Sequence, residues 1–146
     1  MNLWSTLMVI AGGLFAGGAA SFAWSRVPIW RRMTAAQFLG DFSQTIAWTD
    51  KVQPALLVAA IIASAGFVLT SEGVARMLAV AGATGFVVTL IGSLAVLVPL
   101  QRALIATPVG EREAIEGMRL RWFRGNLGRS LIATAAFALV ATAAAM

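Results

Sequence analysis

Trp122, Asn126 and Arg129 stand at i, i+4 and i+7, a spacing that puts all three on one face of a helix. A guanidinium presents a planar fork of donors, and a carboxamide beside it can orient an oxygen. Such a pair suits a planar anion: a phenolate, an enolate or a carboxylate. An indole next to them offers a flat surface on which an aromatic ring can stack. The same face continues through Ala133 and Ala136, small residues that turn it toward neighbouring helices. On the preceding apolar stretch Gly85, Gly92 and Pro99 form a heptad-spaced line, and Arg102 follows one turn later. Both lines end at the same face of the membrane, so Arg102 is expected to meet Asn126 and Arg129, in a pocket roofed by residues 34–49. The same residues also suit plain anchoring, with arginine on lipid phosphate and tryptophan in the interfacial belt. Carboxylates are scarce. Asp41 and Asp50 are the candidates for a base besides the glutamates of the third loop, and each has a structural alternative: interfacial helix charge for Asp41, helix N-capping for Asp50.

The elements that must position these residues are read from hydropathy. Of 146 residues 60% are hydrophobic and 12% charged, about half the charged share of a soluble domain. Four apolar runs, Leu3–Ser25, Val52–Thr70, Met77–Leu100 and Leu127–Met146, each suffice to cross a hydrocarbon core of about 30 Å at about 1.5 Å per residue. The predicted fold is all-α: a single four-helix transmembrane domain over 1–146. Met1 and Asn2 put no basic side chain before the first run, which is therefore expected to be a retained helix rather than a signal peptide. Between the first two runs, Thr34-x-x-Gln37 fits a capping box, and Phe38, Leu39, Phe42 and Ile46 recur at helical spacing, so a short amphipathic interfacial helix is expected over 34–49. After a turn at Pro108-Val109-Gly110, Glu111, Glu113 and Glu116 precede Arg119 and Arg121, the charge order that suits a helix dipole; that helix is expected to run into the fourth span. Gly13, Gly17 and Ser21 in the first span, and Gly85 and Gly92 in the third, are the expected close-packing positions. No internal repeat is evident. No charged residue falls near the bilayer centre, which argues against ion-coupled transport, and Ser64, Thr84, Thr89 and Ser93 can bond to their own helix backbones.

Charge sets the orientation. Arg26, Arg31, Arg32 and Lys51 share one side with Arg102, Arg112, Arg119, Arg121, Arg124 and Arg129, and Arg76 stands alone on the other. This bias predicts a multi-pass bacterial plasma-membrane protein with both termini on the non-cytoplasmic side. Trp24, Trp30, Trp48 and Trp122 on the basic side and Trp4 on the other fit interfacial belts. The net charge of +5 and pI of about 11.6 thus express topology; with no separate basic domain, no nucleic-acid partner is expected. The chain has no Cys, His or Tyr, which removes disulfides, Cys/His zinc sites, His-ligated haem, Cys-ligated clusters and Ser-His or Cys-His nucleophiles. No metal and no cofactor is expected.

Taken in order, the glycine-rich first helix followed by Arg26-Val27-Pro28, then Gln44, then Pro54, then Val98-Pro99-Leu100 with Arg102, then Trp122-x-Arg124-x-Asn126-x-x-Arg129, resemble the small four-helix membrane family that includes the anthrone oxygenases of aromatic polyketide pathways. The resemblance covers nearly the whole chain. It implies a cofactor-independent monooxygenase acting on an aromatic or polyketide-type substrate, with Gln101, Arg102, Trp122, Arg124, Asn126 and Arg129 as the substrate-binding residues. Two departures stand out: Gln101 follows Val-Pro-Leu where the family often has Asn, and no His lies near the Trp/Asn/Arg segment. The alternative is a non-catalytic small subunit of a larger membrane complex or homo-oligomer, or an accessory protein that binds lipid or quinone. The expected partners are membrane lipids and an aromatic small molecule.

Overall fold

The computed structural model describes residues 2–146. Four helices long and apolar enough to cross a membrane make up the chain: α1 Leu3–Trp30, α2 Ala35–Thr70, α3 Gly73–Ala106 and α4 Arg112–Ala144. They form an all-α bundle in which α1 and α3 each pack against both α2 and α4. One end of the bundle, the loop end, carries the 31–34 and 107–111 connections; the other carries both termini and the tight turn before Gly73. That turn needs a left-handed residue, and Gly73 supplies it with φ +58°.

The Thr34 capping box forms as expected: Gln37 N–H donates to the Thr34 hydroxyl, and the Gln37 side chain accepts from the Thr34 N–H. The amphipathic helix it starts does not end at 49. It is the first part of α2 and runs straight into the second span, because nothing between Thr49 and Val52 breaks a helix. Asp50 therefore lies inside a helix and is not an N-cap. Pro54 is also inside α2; its missing N–H deprives the Asp50 carbonyl of its helical partner.

α1 and α3 each contain one wider turn just before a Val-Pro pair. Phe22–Arg26 and Ser93–Leu97 are π-helical, with Val27 N–H donating to the Phe22 carbonyl and Val98 N–H to that of Ser93. The extra residue accommodates the rings of Pro28 and Pro99 without breaking the helix. It also rotates everything beyond it by roughly 100°. The inward face of α3 consequently runs Phe86, Thr89, Ser93, Leu97, Gln101, Leu104, where an undisturbed helix would carry it on through Val96 and Leu100. The two halves thus repeat element by element: apolar helix, π turn, Val-Pro, connection, long helix. Phe15 and Phe86 occupy matching places and pack edge-on at 6.3 Å.

Two buried clusters hold the bundle. Toward the termini, Met8, Phe15, Leu57, Phe67, Phe86, Ala133, Ala136 and Val140 interlock. Toward the loop end lies an aromatic cluster of Phe22, Trp30, Phe38, Phe42, Trp122 and Phe123. Trp30 is its hub: Phe42 and Trp122 meet it near the perpendicular at 5.4 and 5.7 Å, and Phe123 stacks on it at 6.3 Å. Trp24 and Trp48 are 79% and 72% exposed, as belt residues would be, whereas Trp30 and Trp122 are core. The close-packing glycines are partly other than expected. Gly13 faces Phe137 and Gly85 faces Ala136, but Gly17 and Gly92 have nothing against them, and the closest approach to another helix's backbone is at Gly82. A Cβ there would lie 2.5 Å from Val140 Cγ1 and 2.8 Å from the Ala136 carbonyl. Gly82→Ala is expected to cost about 1–3 kcal/mol, read as a lower midpoint of unfolding in detergent.

The orientation expected from charge has its own check. Among native residues there is no thiol, so Glu72→Cys should react with an impermeant maleimide in intact cells and Gly110→Cys should not. The opposite labelling pattern would invert the topology.

Candidate functional site

Between the two buried clusters all four helices leave a cavity of about 80 Å³. Phe15 and Phe22 line it from α1, Ile46, Thr49, Asp50, Gln53 and Leu57 from α2, Ser93, Leu97 and Gln101 from α3, and Trp122 and Arg129 from α4. Exposed Asp50 and Pro54 on α2 and Leu94 on α3 mark its mouth. Its loop end is filled by the aromatic cluster. The 34–49 segment supplies a wall, through Ile46 and Thr49, rather than a roof.

The cavity has two polar sides. On one, Gln101 Nε2 donates to Asp50 Oδ2 at 2.7 Å, tying α3 to α2. On the other, Arg129 Nη2 donates to Asn126 Oδ1 at 2.9 Å within α4. Asp50 and Arg129 line the same cavity with no direct ion pair between them. The Ser130 hydroxyl has both the Asn126 and Ala19 carbonyls at 2.8 Å, fixing α4 against α1 one residue from the guanidinium. Three residues that line the cavity carry a buried polar atom without a partner, Trp122 Nε1, Arg129 Nε and Gln53 Oε1, and Asn126 Nδ2, on the residue that holds Arg129, is a fourth. Asn126 is 0% and Trp122 2% exposed, so bulk water does not satisfy them. A buried donor left unpaired costs about 1–3 kcal/mol, and several in one place indicate a site that receives polar atoms.

Of the six residues expected to bind substrate, four come together. Gln101, Trp122 and Arg129 line the cavity and Asn126 holds Arg129. Arg102 and Arg124 do not join them; both are exposed. The π turn at Ser93–Leu97 brings Gln101 inward in place of Leu100, and Arg102, the next residue, stands about 100° round the helix from it. Arg124 falls on the opposite side of α4 from the Trp122–Asn126–Arg129 stripe. The expected stacking platform is also modified, since Trp122 already packs against Phe22, Trp30 and Phe42. Asp41 is a structural carboxylate: its Oδ2 accepts from Trp30 Nε1 and lies 3.5 Å from Arg26 Nη1. Asp50 also ties two helices, through Gln101, but it is the one of the two that lines the cavity.

Sequence reasoning missed Gln53, three residues from Asp50 on the same face of α2. A Cβ at Gly18 would collide with its amide, so the Gly17-Gly18 pair signalled a side chain lying across α1. It also missed Arg119, whose Nη1 donates to the Trp30 and Met33 carbonyls at 3.2 and 3.0 Å and whose Nη2 pairs with Glu116. Arg119 thereby caps the end of α1 from α4 and holds the aromatic cluster closed. The hydroxyls of Ser64, Thr84, Thr89 and Ser93 do bond to carbonyls four residues back, as expected.

A four-helix membrane bundle with a small, partly polar interior cavity is the class the geometry defines. The chain matches the family model described as anthrone oxygenase over residues 42–139, a segment that contains Asp50, Gln101, Trp122, Asn126 and Arg129, and it belongs to the anthrone oxygenase family. No curated protein and no solved structure matches it.

Proposed function

We propose that this protein is a cofactor-independent oxygenase that converts the methylene of an anthrone-type aromatic ketone to a carbonyl with O₂. The observation that carries the reading is the cavity with a carboxylate, Asp50, on one side and a guanidinium, Arg129, on the other, together with unpartnered donors on Trp122 and Asn126. Such a ketone has an acidic ring methylene whose anion is delocalised onto the oxygen. Asp50 takes the methylene proton while Arg129 and the Trp122 indole receive the enolate oxygen, a charge-assisted arrangement that favours the anion. Gln101 holds the carboxylate in place, and Asn126 holds the guanidinium.

The carbanion then passes one electron to O₂, and the resulting radical and superoxide join to form a C–O bond. The peroxide takes up the first proton. Removal of the remaining C–H proton by Asp50 expels hydroxide, which leaves as water with that proton. One oxygen atom ends in the new carbonyl and the other in water; the substrate loses four electrons and O₂ gains four. The apolar walls exclude bulk water, which would otherwise solvate the anion and weaken the electrostatic contacts.

With heavy-isotope O₂ and purified protein in lipid nanodiscs, the new quinone oxygen should carry the label. Label from solvent water instead would contradict the scheme. The same cavity also suits an oxygenated ring held without turnover, as a lipid- or quinone-binding accessory protein would hold it. Tight binding of a quinone with no O₂ uptake from an anthrone would assign that role.

A further inference from the structure

The inner cavity is small for the ring system the proposed function requires. At about 80 Å³ it falls well below the roughly 300 Å³ at which drug-sized ligand pockets begin. A second space adjoins it. Between α3 and α4 runs a groove of about 250 Å³ lined by Val88, Gly92, Val96, Gly125, Gly128 and Ile132. Ser93, Leu97 and Arg129 border both spaces and are the wall between them. Ser93 and Leu97 are the first and last residues of the π turn in α3, where the hydrogen-bond ladder is already widened. Leu97 closes the wall by resting on Gly125; a Cβ at Gly125 would lie 2.8 Å from Leu97 Cδ2. Gly92 and Gly128 have nothing within 4 Å of where a Cβ would stand, so no packing partner accounts for their lack of side chains. Axial extension is blocked, because the loop end of the cavity is filled with packed aromatic rings.

We infer that the inner cavity and the α3–α4 groove are two halves of one ligand site, joined when the Leu97 side chain turns aside. This rests on the proposed function and assigns where in the bundle the rings of its substrate lie. The oxygen-bearing edge lies at Arg129, the charged group the two halves share, in the cavity that the unpartnered Trp122 indole also lines. The far ring lies in the groove against the bare backbone at Gly92 and Gly128, where the absence of Cβ atoms lets a flat ring approach closely. Gly92, Gly125 and Gly128 are then specificity-determining positions: they set how many rings the site accepts, while Arg129 and Asp50 act on the oxygen and the proton.

The test compares ligands of two sizes on one variant. Gly92→Leu/Gly128→Leu fills the groove from positions where a side chain meets no neighbour. Alizarin, a three-ring dihydroxyquinone with an environment-sensitive absorption, and phenol, a single ring that the inner cavity suits, are titrated into nanodiscs of wild type and variant. Alizarin affinity should fall at least tenfold in the variant while phenol affinity stays within about twofold, with each single substitution giving part of the loss. Unchanged alizarin affinity, or equal losses for both ligands, overturns the two-part site. Those outcomes leave the oxygenase reading standing. Failure of wild type to bind either ligand defeats both.

Discussion

Asp50→Asn should lower kcat for anthrone oxidation by about two to four orders of magnitude, the usual range for a general base, and leave KM nearly unchanged. The asparagine oxygen still accepts from Gln101 Nε2, which now contacts Asp50 Oδ2 at 2.7 Å. The tie between α2 and α3 therefore survives, and with it the shape of the cavity. What is lost is the capacity to take a proton. Steady-state O₂ uptake in nanodiscs separates the two parameters. A rise in KM with kcat preserved would make Asp50 a substrate-positioning group and move the base elsewhere.

Arg129→Lys should preserve the bundle and weaken binding of an oxygen-bearing aromatic about tenfold to a hundredfold, matching the loss of one hydrogen bond to a charged group. Lysine keeps the positive charge but not the planar fork that contacts Asn126 and a ligand together. Circular dichroism and detergent unfolding should match wild type, because the Arg129 hydrogen bond lies within α4 and ties no two helices. Full retention of affinity would mean that charge alone, as in lipid anchoring, is what position 129 supplies.

The bundle was legible because lipid imposes one rule everywhere: long apolar runs bounded by basic loops. The Trp122–Asn126–Arg129 stripe was legible for a similar reason, since α4 is uninterrupted and its 3.6-residue period carries the face inward without error. What hydropathy cannot register is a single extra residue in a helical turn. The π turn at Ser93–Leu97 exchanges Leu100 for Gln101 on the inner face, with Arg102 about 100° round from it, and the only local trace of the turn is Val98-Pro99. Asp50 was hidden by its position between an interfacial segment and a span, where helix breaks are common; the helix continues, and an apparent cap becomes a cavity carboxylate. The repeat of the two halves leaves little trace in the residues because lipid-facing positions need only be apolar. Gln53 and Arg119 act through contacts between helices distant in the chain, and such contacts have no period to read.

On the proposed function, Asp50 and Arg129 act on one aromatic ligand in the cavity that both line. Purified protein in nanodiscs, given anthrone in air-saturated buffer, should consume one O₂ per anthraquinone formed, at a rate well above the uncatalysed oxidation and insensitive to chelators. Asp50→Asn should bring that rate close to background, and Arg129→Lys should lower it about tenfold to a hundredfold at subsaturating anthrone. Turnover that both variants retain in full, or no O₂ uptake above background by wild type, would overturn the roles proposed for Asp50 and Arg129.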